Sequence, residues 1–511
     1  MSPDAVLFLL AIAIPASYLV AAVLVRYGAG DPRRSAGPAA WAGAGALGLA
    51  LLLCGLTALL GAQTLSFTMA QGIAPAIRLD AISLPVLTLV CFVGFVVIRF
   101  SRNYLDGDQR QHVFFARLLA TLAATAVLAL AGDLVVFALG WIGLSLVLHT
   151  LLVFYPERPL ARLAARKKFI GARVSDLAIL AAFLLLWNAT STTDIAAIAA
   201  EASQGGLGGG GLAAALLIAL AALIKSAQVP FHGWLTEVME TPTPVSALLH
   251  AGIVNAGGFI VLRFSDVLVG ATPSLWLLAF AGGGTALMAS VVMLTQPRIK
   301  TQLAWSTIAQ MGFMLLQCGL GSFSSALLHI IAHSLYKAHA FLWAGSAAER
   351  VKPAATPAKP AQVFAGFAAA LVIFAAAGAA FGGALWEKPA LAVLGSVVVL
   401  GMAQAIAAAL AAGGAALIGR VLAGMAAVAA SYYALQLGFL WLLSGAVASP
   451  PPAGPVMLGL MTLTLFSFAS LSIAQALGLG QRRGGRLSAV FVHASNGFYA
   501  NSVFNRIATR S

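Results

Sequence analysis

The sequence predicts an all-α membrane protein that crosses the bilayer with about 14–15 helices. Of its 511 residues, 61% are hydrophobic and only 9% are charged, whereas soluble proteins carry about 25% charged residues. Apolar stretches of about 20 residues, the length needed to cross the hydrocarbon core, recur along the chain. A transmembrane β-barrel would need segments of alternating polarity, but runs such as residues 214–224 are apolar on every face. A soluble enzyme is therefore excluded.

Fifteen apolar segments are predicted in chain order, separated by short polar joints. They cover residues 6–25, 39–61, 82–101, 113–131, 133–154, 168–188, 211–229, 243–263, 275–294, 301–320, 323–347, 362–382, 389–412, 420–446 and 455–480. The first lacks a basic leader and a cleavage site, so we expect it to be a retained helix. The joint at residues 188–211 is polar and glycine-rich, which indicates a surface loop.

Residues 1–480 are thus predicted to form one membrane domain, followed by a tail at residues 481–511. The tail contains five arginines and fits either an amphipathic helix on the cytoplasmic face or a simple polar terminus.

The net charge of +14 reflects membrane topology. With the N-terminus outside, nearly all Lys and Arg residues fall in the odd-numbered joints and the tail, and the opposite joints carry only Arg78, Arg263 and Lys388. The positive-inside rule therefore predicts an outside N-terminus and a cytoplasmic C-terminus. Nucleic-acid binding is not expected.

The three cysteines, Cys54, Cys91 and Cys318, lie far apart within apolar segments. Neither a disulfide framework nor a zinc or iron–sulfur site is supported. No metal site or cofactor is expected in this chain.

Two predicted interruptions fall inside membrane segments, where unpaired backbone groups are tolerated only in a protein-packed or hydrated cavity. Pro230 closes the run that begins at Lys225, and a proline removes a helical hydrogen bond. Gly382 and Gly383 precede Lys388. Paired breaks of this kind indicate an ion site near the midplane of the membrane.

Ionisable residues inside spanning segments are costly and are therefore functional candidates. Lys225 could take up and release a proton if its partner moves; the alternative is a lysine that snorkels or pins the break. His329, His333 and Lys337 recur every four residues, which stacks them on one helix face. This stripe fits a proton wire, while a metal site or a structural polar network remains the alternative.

Further candidates are weaker members of the same path or acids that support it. They are His250 and Lys300 for the path, and Asp133, Asp176, Glu237 and Glu240 as acids. Asp176 either neutralises Arg173 or biases Lys225. For Glu237 and Glu240 a gating role and a solvated structural role are equally plausible.

The runs KSAQVPFHGWLTEVMETPTPVSALLHAG, QPRIKTQLAWSTIAQMGF and HIIAHSLYKAHAFL resemble the antiporter-like subunits of respiratory complex I and of Mrp-type cation/proton antiporters. Within that superfamily, EVMETPTPVSALLHAGIVNAGGF and the tail HASNGFYANSVFNR are most similar to the DabB membrane subunits of inorganic-carbon uptake systems. The short chain also argues against the distal complex I subunit.

The resemblance implies two inverted five-helix repeats, each with a broken helix, and it assigns path roles to matching residues. Lys225 matches the central lysine, Lys337 the bridging lysine and Lys388 the terminal lysine. His250, His329 and His333 match the connecting histidines. Where the family has a glutamate in the fifth helix, this chain has Ile142, so another acid such as Asp176 or Asp133 must act, or the half-channels are uncoupled.

The resemblance further implies a subunit of a bacterial inner membrane that carries a cation, most simply the proton. Its flux would energise accumulation of CO2 or bicarbonate with a DabA-like partner that resembles a zinc carbonic anhydrase. Zinc is expected only in that partner, and the chain shows no motif for redox chemistry. The alternatives are a subunit of a cation/proton antiporter or of a quinone oxidoreductase, and a purely structural scaffold.

Overall fold

The protein, seen in a computed structural model, is a bundle of long helices. The structure describes residues 3–27, 35–66, 75–238, 241–346, 357–383, 388–477 and 486–510. The helices are α1 (Pro3–Tyr27), α2 (Ala36–Leu60), α3 (Ser83–Tyr104), α4 (Gln111–Leu130), α5 (Leu134–Leu152), α6 (Pro159–Thr190), α7 (Ile195–Ser203), α8 (Gly208–Lys225), α9 (Gly233–Glu237), α10 (Thr243–Ala251), α11 (Ala256–Arg263), α12 (Ser265–Val269), α13 (Thr272–Thr295), α14 (Ile299–Gly319), α15 (Phe323–Ser346), α16 (Pro360–Ala380), α17 (Pro389–Ala412), α18 (Ala415–Leu442), α19 (Pro455–Ala476), α20 (Arg486–Ser495) and α21 (Ala500–Arg510).

Thirteen stretches of helix in the described ranges are long and apolar enough to cross a membrane. In addition, α14 has 21 residues and α15 has 24, which at 1.5 Å per residue also suffices to cross the hydrocarbon core. The predicted all-α polytopic fold is confirmed. The most enclosed span is the α10–α11 stretch, of which 94% is buried, so it lies at the centre of the bundle.

The structure contains helix in two places where none was predicted: the first turns of α6 and the whole of α7. α6 begins at Pro159, nine residues before the predicted start, because its first turns are amphipathic and their arginines were assigned to the joint. α7 occupies the predicted surface loop, and the Asp194 side chain caps it by accepting hydrogen bonds from the backbone N–H groups of Ala196 and Ala197. An N-cap aspartate satisfies donors that would otherwise lack partners.

One end of the bundle carries a small antiparallel hairpin, formed by β1 (Gln63–Ser66) and β2 (Ala76–Leu79). Its two strands were not predicted from the sequence. The hairpin is anchored by Asp80, which follows β2 and forms a buried ion pair with Arg263 at the end of α11, with Nη1 to Oδ2 at 2.6 Å. Burial by itself raises the pKa of Asp80, but Arg263 and then Arg78 hold that pKa below its usual range.

The second predicted interruption is wrong in its position. α16 ends at Ala380, Gly382 and Gly383 turn the chain with φ of +81° and +71°, and α17 begins at Pro389. Both helices qualify as complete spans, so the glycines lie at the end of a span. The physical reason is that glycine accepts the left-handed conformation such a turn needs.

The tail packs on the bundle end opposite the hairpin. The Gln296 side chain at the end of α13 donates a hydrogen bond to the Ser495 carbonyl oxygen in α20 at 3.4 Å. In α21, Asn501 donates to Glu237 at 2.8 Å, and the rings of Phe504 and Phe231 meet edge to face. The tail therefore covers the segment that follows α8.

Candidate functional site

The helix that carries Lys225 is interrupted directly after it. α8 ends at Lys225 and the short α9 begins at Gly233, with Pro230 in the intervening turn. The Gln228 backbone N–H reaches back to the Leu223 carbonyl oxygen at 3.0 Å, and the Ser226 N–H donates to Ala222. These bonds satisfy the last carbonyls of α8 and place the lysine at an ordered helix end inside the bundle.

The Lys225 ammonium group is buried and faces α5. It donates a hydrogen bond to the Trp141 carbonyl oxygen at 3.1 Å and lies 4.2 Å from the centroid of the Trp141 ring. Cation–π contact with a tryptophan stabilises a desolvated ammonium group. No carboxylate lies within ion-pair distance of Lys225 in the described part of the chain.

α6 supplies three further charged side chains next to Lys225. Lys168 is buried and donates to the Ser145 carbonyl oxygen at 2.6 Å and to its hydroxyl at 3.0 Å. Arg173 pairs with Asp176, with Nη2 to Oδ2 at 2.5 Å. Lys168 and Asp176 both interact electrostatically with Lys225. We call Lys168, Arg173, Asp176 and Lys225 the lysine cluster.

A small cavity lies between Lys168 and Lys225, with Ser145 on its wall and Phe231 and Trp234 of the interrupted segment at its edge. Its volume is about 20 Å³, which is enough for one water molecule or an ion of similar size. The lysine cluster therefore surrounds an internal space that a polar guest can occupy.

A second cluster of polar side chains is formed by residues of α10 and α15. The side chains of His250, His333 and Lys337 are buried, and His329 is partly buried; we call these four residues the histidine cluster. The ring of His250 stacks on Phe341 with centroids 4.2 Å apart, and neither of its nitrogens has a hydrogen-bond partner among the described residues. The rings of His329 and His333 lie 5.8 Å apart.

Two members of the histidine cluster, Lys337 and His329, are positioned by a neighbouring helix. Lys337 donates to the Ser306 hydroxyl at 2.8 Å and to the Leu303 carbonyl oxygen at 3.1 Å. His329 pairs through Nδ1 with the Gln317 amide oxygen at 2.9 Å, and the ring of His333 lies beside that of His329. The i, i+4, i+8 spacing thus places one polar face of α15 against α10 and α14.

A larger cavity, about 470 Å³, continues from the histidine cluster toward α17 and α18. His329 and His333 line it together with the polar side chains of Gln317 and Gln436. Gln436 is fully buried and accepts a hydrogen bond from the Ser325 hydroxyl at 3.0 Å. Polar groups therefore extend beyond the histidines into the C-terminal part of the bundle.

The two clusters are joined by a second interruption, which the sequence analysis missed. Between α10 and α11 a 3₁₀ turn covers Ile253–Asn255. The Val254 carbonyl oxygen accepts a hydrogen bond from Ser226 beside Lys225, at 2.9 Å. Asn255 donates to Ser334 next to His333, at 2.8 Å. The glycines in AGIVNAGG were the available signal for this irregular turn.

Four described residues of the predicted path and its supporting acids belong to neither cluster: Asp133, Glu237, Lys300 and Lys388. Asp133 caps α5 and the hairpin by accepting from the backbone N–H groups of Val135, Val136 and Ala76. Lys300 donates to the Thr243 hydroxyl at 3.0 Å. Glu240 lies outside the described residues. Lys388, predicted as the terminal lysine of the path, is exposed at the start of α17.

Glu237 is held by an ion pair, which makes it less available as a gating acid. Its oxygens lie 2.5 Å from the buried Lys167 ammonium nitrogen, and Asn501 adds a third contact. Sequence reasoning did not select Lys167, Lys168 or Ser145 as site residues. The available signal was the spacing of eight residues between Lys168 and Asp176, which places both on one face of α6.

No group of three or more side chains suited to a metal ion occurs among the described residues. The lysine cluster and the histidine cluster instead form a row of ionisable and hydrogen-bonding side chains between apolar helices. Such a line can pass protons between groups that exchange partners.

Comparison with known families matches two models to this chain. "NADH:quinone oxidoreductase/Mrp antiporter, TM" matches residues 131–377, and "NADH-Ubiquinone oxidoreductase (complex I), chain 5 N-terminus" matches residues 68–115. All three lysines of the two clusters, Lys168, Lys225 and Lys337, fall inside the first match.

Three relatives illustrate the similarity. "Probable inorganic carbon transporter subunit DabB2" of Halothiobacillus neapolitanus is 39% identical over 98% of this chain and 94% of its own length. The DabB of Hydrogenovibrio crunogenus is 44% identical over 58% of this chain and 59% of its own length. "NADH-quinone oxidoreductase subunit L" of Escherichia coli is 35% identical over 52% of this chain and 44% of its own length.

Solved structures share the fold. The Mrp complex from Dietzia sp. contains a chain that aligns with 99% of this chain and over 56% of its own length, with a TM-score of 0.61 and 24% identity. The membrane-bound sulfane sulfur reductase, an archaeal respiratory membrane complex, gives a TM-score of 0.58 at 19% identity, over 93% of this chain and 76% of its own chain.

Proposed function

This chain belongs to the DabB family of inorganic carbon transporter subunits, within the antiporter-like membrane proteins, and on that premise we propose that it translocates protons to energise inorganic carbon accumulation. The family and the apolar helices indicate a multi-pass membrane subunit of a transport complex. The identity of the ion and the identity of the partner are proposed here.

The observation that carries the proposal is the continuity of the two clusters across the centre of the bundle. Isolated ionisable groups are rare inside membranes because each is costly to bury. Here one turn of the bundle centre bonds on one side to Ser226, next to Lys225, and on the other side to Ser334, next to His333. A purely structural scaffold has no need of a lysine and three histidines along one line.

Protons suit these groups better than sodium ions do. Sodium requires several oxygen ligands, whereas the path consists mainly of ammonium and imidazole groups that gain and lose protons. Proton flow would thus be the driving reaction in this subunit. The carbon chemistry belongs to a DabA-like, zinc-containing partner, and this chain itself needs no cofactor and performs no redox or hydrolytic reaction.

The proposed orientation in a bacterial inner membrane has the N-terminus outside and the tail in the cytoplasm. The tail packs against the ends of α9 and α13. The same side of the bundle carries the arginine-rich start of α6, which agrees with the positive-inside rule. Lys225 would then exchange protons with the cytoplasm through the interrupted segment.

The test is growth and uptake in a bacterial host that lacks carbonic anhydrase and requires added CO2. Co-expression of the chain with its DabA-like partner should restore growth in air and accumulation of labelled inorganic carbon, and a protonophore should abolish both. Copurification should give one large zinc-containing soluble partner. Uptake that resists the protonophore would overturn the proposal.

A cation/proton antiporter subunit is the second candidate, favoured by the shared fold with the Mrp complex. If the chain is an antiporter subunit, copurification should give a set of small membrane subunits. It also expects sodium-dependent proton movement in inverted membrane vesicles, in the absence of inorganic carbon. Either result without a soluble zinc partner would favour this alternative.

A further inference from the structure

The lysine cluster contains more positive than negative side chains. Lys168, Arg173 and Lys225 are cations when protonated, and Asp176 is their one carboxylate neighbour among the described residues. Asp176 already pairs with Arg173. His149, on α5, is the remaining titratable group that interacts with Lys168. Among the described residues, neither Lys168 nor Lys225 has a carboxylate within ion-pair distance, and the single charge of Asp176 serves three cations.

The neighbouring acids cannot supply the missing charge. Glu237 is committed to Lys167, and Asp133 accepts three backbone hydrogen bonds at the end of α5. At Ile142, adjacent to Trp141, the side chain is apolar. Burying two like charges near each other is strongly unfavourable unless an opposite charge joins them.

The same two lysines also have unused hydrogen-bond donors. An ammonium group has three N–H donors. Lys225 uses one of them on Trp141, and Lys168 uses two on Ser145. The unused donors belong to side chains that line the cavity of about 20 Å³. A chloride-sized ion fits such a space, and a large organic anion does not.

We propose that this cavity is a binding site for a small monovalent inorganic anion, held between Lys168 and Lys225 with the Ser145 hydroxyl as a third donor. The bound anion supplies the negative charge that no side chain of α5 provides. Charge-assisted hydrogen bonds from two ammonium groups are among the strongest that proteins form. Chloride and bicarbonate share this chemistry, and chloride matches the volume more closely.

The inference concerns binding and does not depend on the proposed transport reaction. It is tested on the purified full-length protein in detergent, by thermal unfolding in sodium gluconate, chloride, bromide and bicarbonate at equal ionic strength. A ligand that binds the folded state raises the midpoint of unfolding. We expect chloride or bromide to raise the midpoint by about 1–3 °C over gluconate. A rise in bicarbonate alone would identify that ion as the occupant.

Lys168→Gln should remove the difference between chloride and gluconate, because only one buried ammonium group then remains. Lys167→Gln is the matched control: it alters the adjacent lysine, which already has Glu237 as its partner, and should keep the difference. Ile142→Glu should also remove it, since a carboxylate on α5 would take the place of the ion.

A direct measurement keeps the proposal falsifiable if the variants fold poorly. Crystals of the wild-type protein in bromide should show an anomalous peak between Lys168 and Lys225. No peak there, together with equal unfolding midpoints in chloride and gluconate, would overturn the site and indicate that one lysine is neutral. An equal chloride effect in Lys168→Gln and Lys167→Gln would also overturn it.

Discussion

The ammonium nitrogen of Lys225 lies 4.2 Å from the ring centre of Trp141 and 3.1 Å from its carbonyl oxygen. A lysine at the end of a broken membrane helix is thus held by an aromatic face and a backbone carbonyl group. Neither contact is an ion pair with a carboxylate. Under the proposed function, this arrangement suits a lysine that exchanges its proton during transport.

The histidine cluster should conduct through protonation of imidazole groups. His333→Ala should reduce proton flux at least tenfold, because it removes a link between His250 and His329. Flux is measured with a pH-sensitive dye in proteoliposomes. Chelators should have no effect on the wild-type subunit. A stoichiometric metal ion in purified subunit free of its partner would contradict this interpretation.

Asp176 should be needed for transport as well as for stability. Asp176→Asn leaves Arg173 without its ion-pair partner and removes the carboxylate nearest to Lys225, so uptake should fall about as far as in Lys225→Ala. The double variant should be little worse than either single one, because both changes disable one coupled unit. Ile142→Glu should partly restore uptake to Asp176→Asn.

If Asp176 has only a structural role, a different result is expected. Arg173→Gln combined with Asp176→Asn would then recover transport, since the uncompensated charge is gone. Additive losses in Asp176→Asn and Lys225→Ala, or near-normal uptake in Asp176→Asn at normal expression, would likewise show that Asp176 serves only as the partner of Arg173.

The ion pair between Asp80 and Arg263 should stabilise the hairpin end of the bundle. Asp80→Asn leaves a buried guanidinium group without its partner and should lower the free energy of unfolding by about 3–5 kcal/mol. The exposed Asp4→Asn should change it little. Thermal unfolding followed by circular dichroism measures both variants.

The Asp80 contribution should depend on pH in one direction. Because the folded-state pKa of Asp80 lies below its value in the unfolded chain, the stabilisation is present above about pH 4 and is lost as the pH falls further. The difference between wild type and Asp80→Asn should therefore be constant from pH 8 to pH 5 and shrink below pH 4. A constant difference down to pH 2 would contradict the assignment.

The tail should lose its contact with the bundle when a methyl group is added at Gly233. A Cβ atom there would lie 1.8 Å from the Asn501 amide oxygen, so Asn501 must leave Glu237. Gly233→Ala should increase hydrogen exchange of the α21 amides, and Asn501→Ala should do the same. Gly401→Ala, where nothing lies within 4 Å, is the control. Unchanged exchange in Gly233→Ala would show that the tail is held elsewhere.

Much of the fold is predictable because each spanning helix must be apolar for its full length. The hydrocarbon core imposes this requirement on every span, and the predicted limits of α13, α14 and α17 differ from the observed ones by three residues at most. The hairpin was missed since its two strands are only four residues long. α7 was missed because its joint contains a glycine run, which favours loops.

The site was predictable where charge stands out against an apolar background, as at Lys225 and Lys337. Which charges pair was not predictable, because the partners come from different helices. Glu237 meets Lys167 and Asp80 meets Arg263 across 70 and 183 residues of sequence. Gly382 and Lys388 show the converse error: a glycine turn at a helix end has the same sequence pattern as a break inside a span.

The most direct test of proton translocation through Lys225 is proton flux in proteoliposomes that contain the complete complex. Lys225→Ala should reduce flux to the background of empty liposomes while the subunit remains inserted and bound to its partner. Lys388→Ala, at an exposed lysine at the start of α17, should retain most of the wild-type flux. Wild-type flux in a well-inserted Lys225→Ala complex would contradict the assignment of this lysine to the proton path.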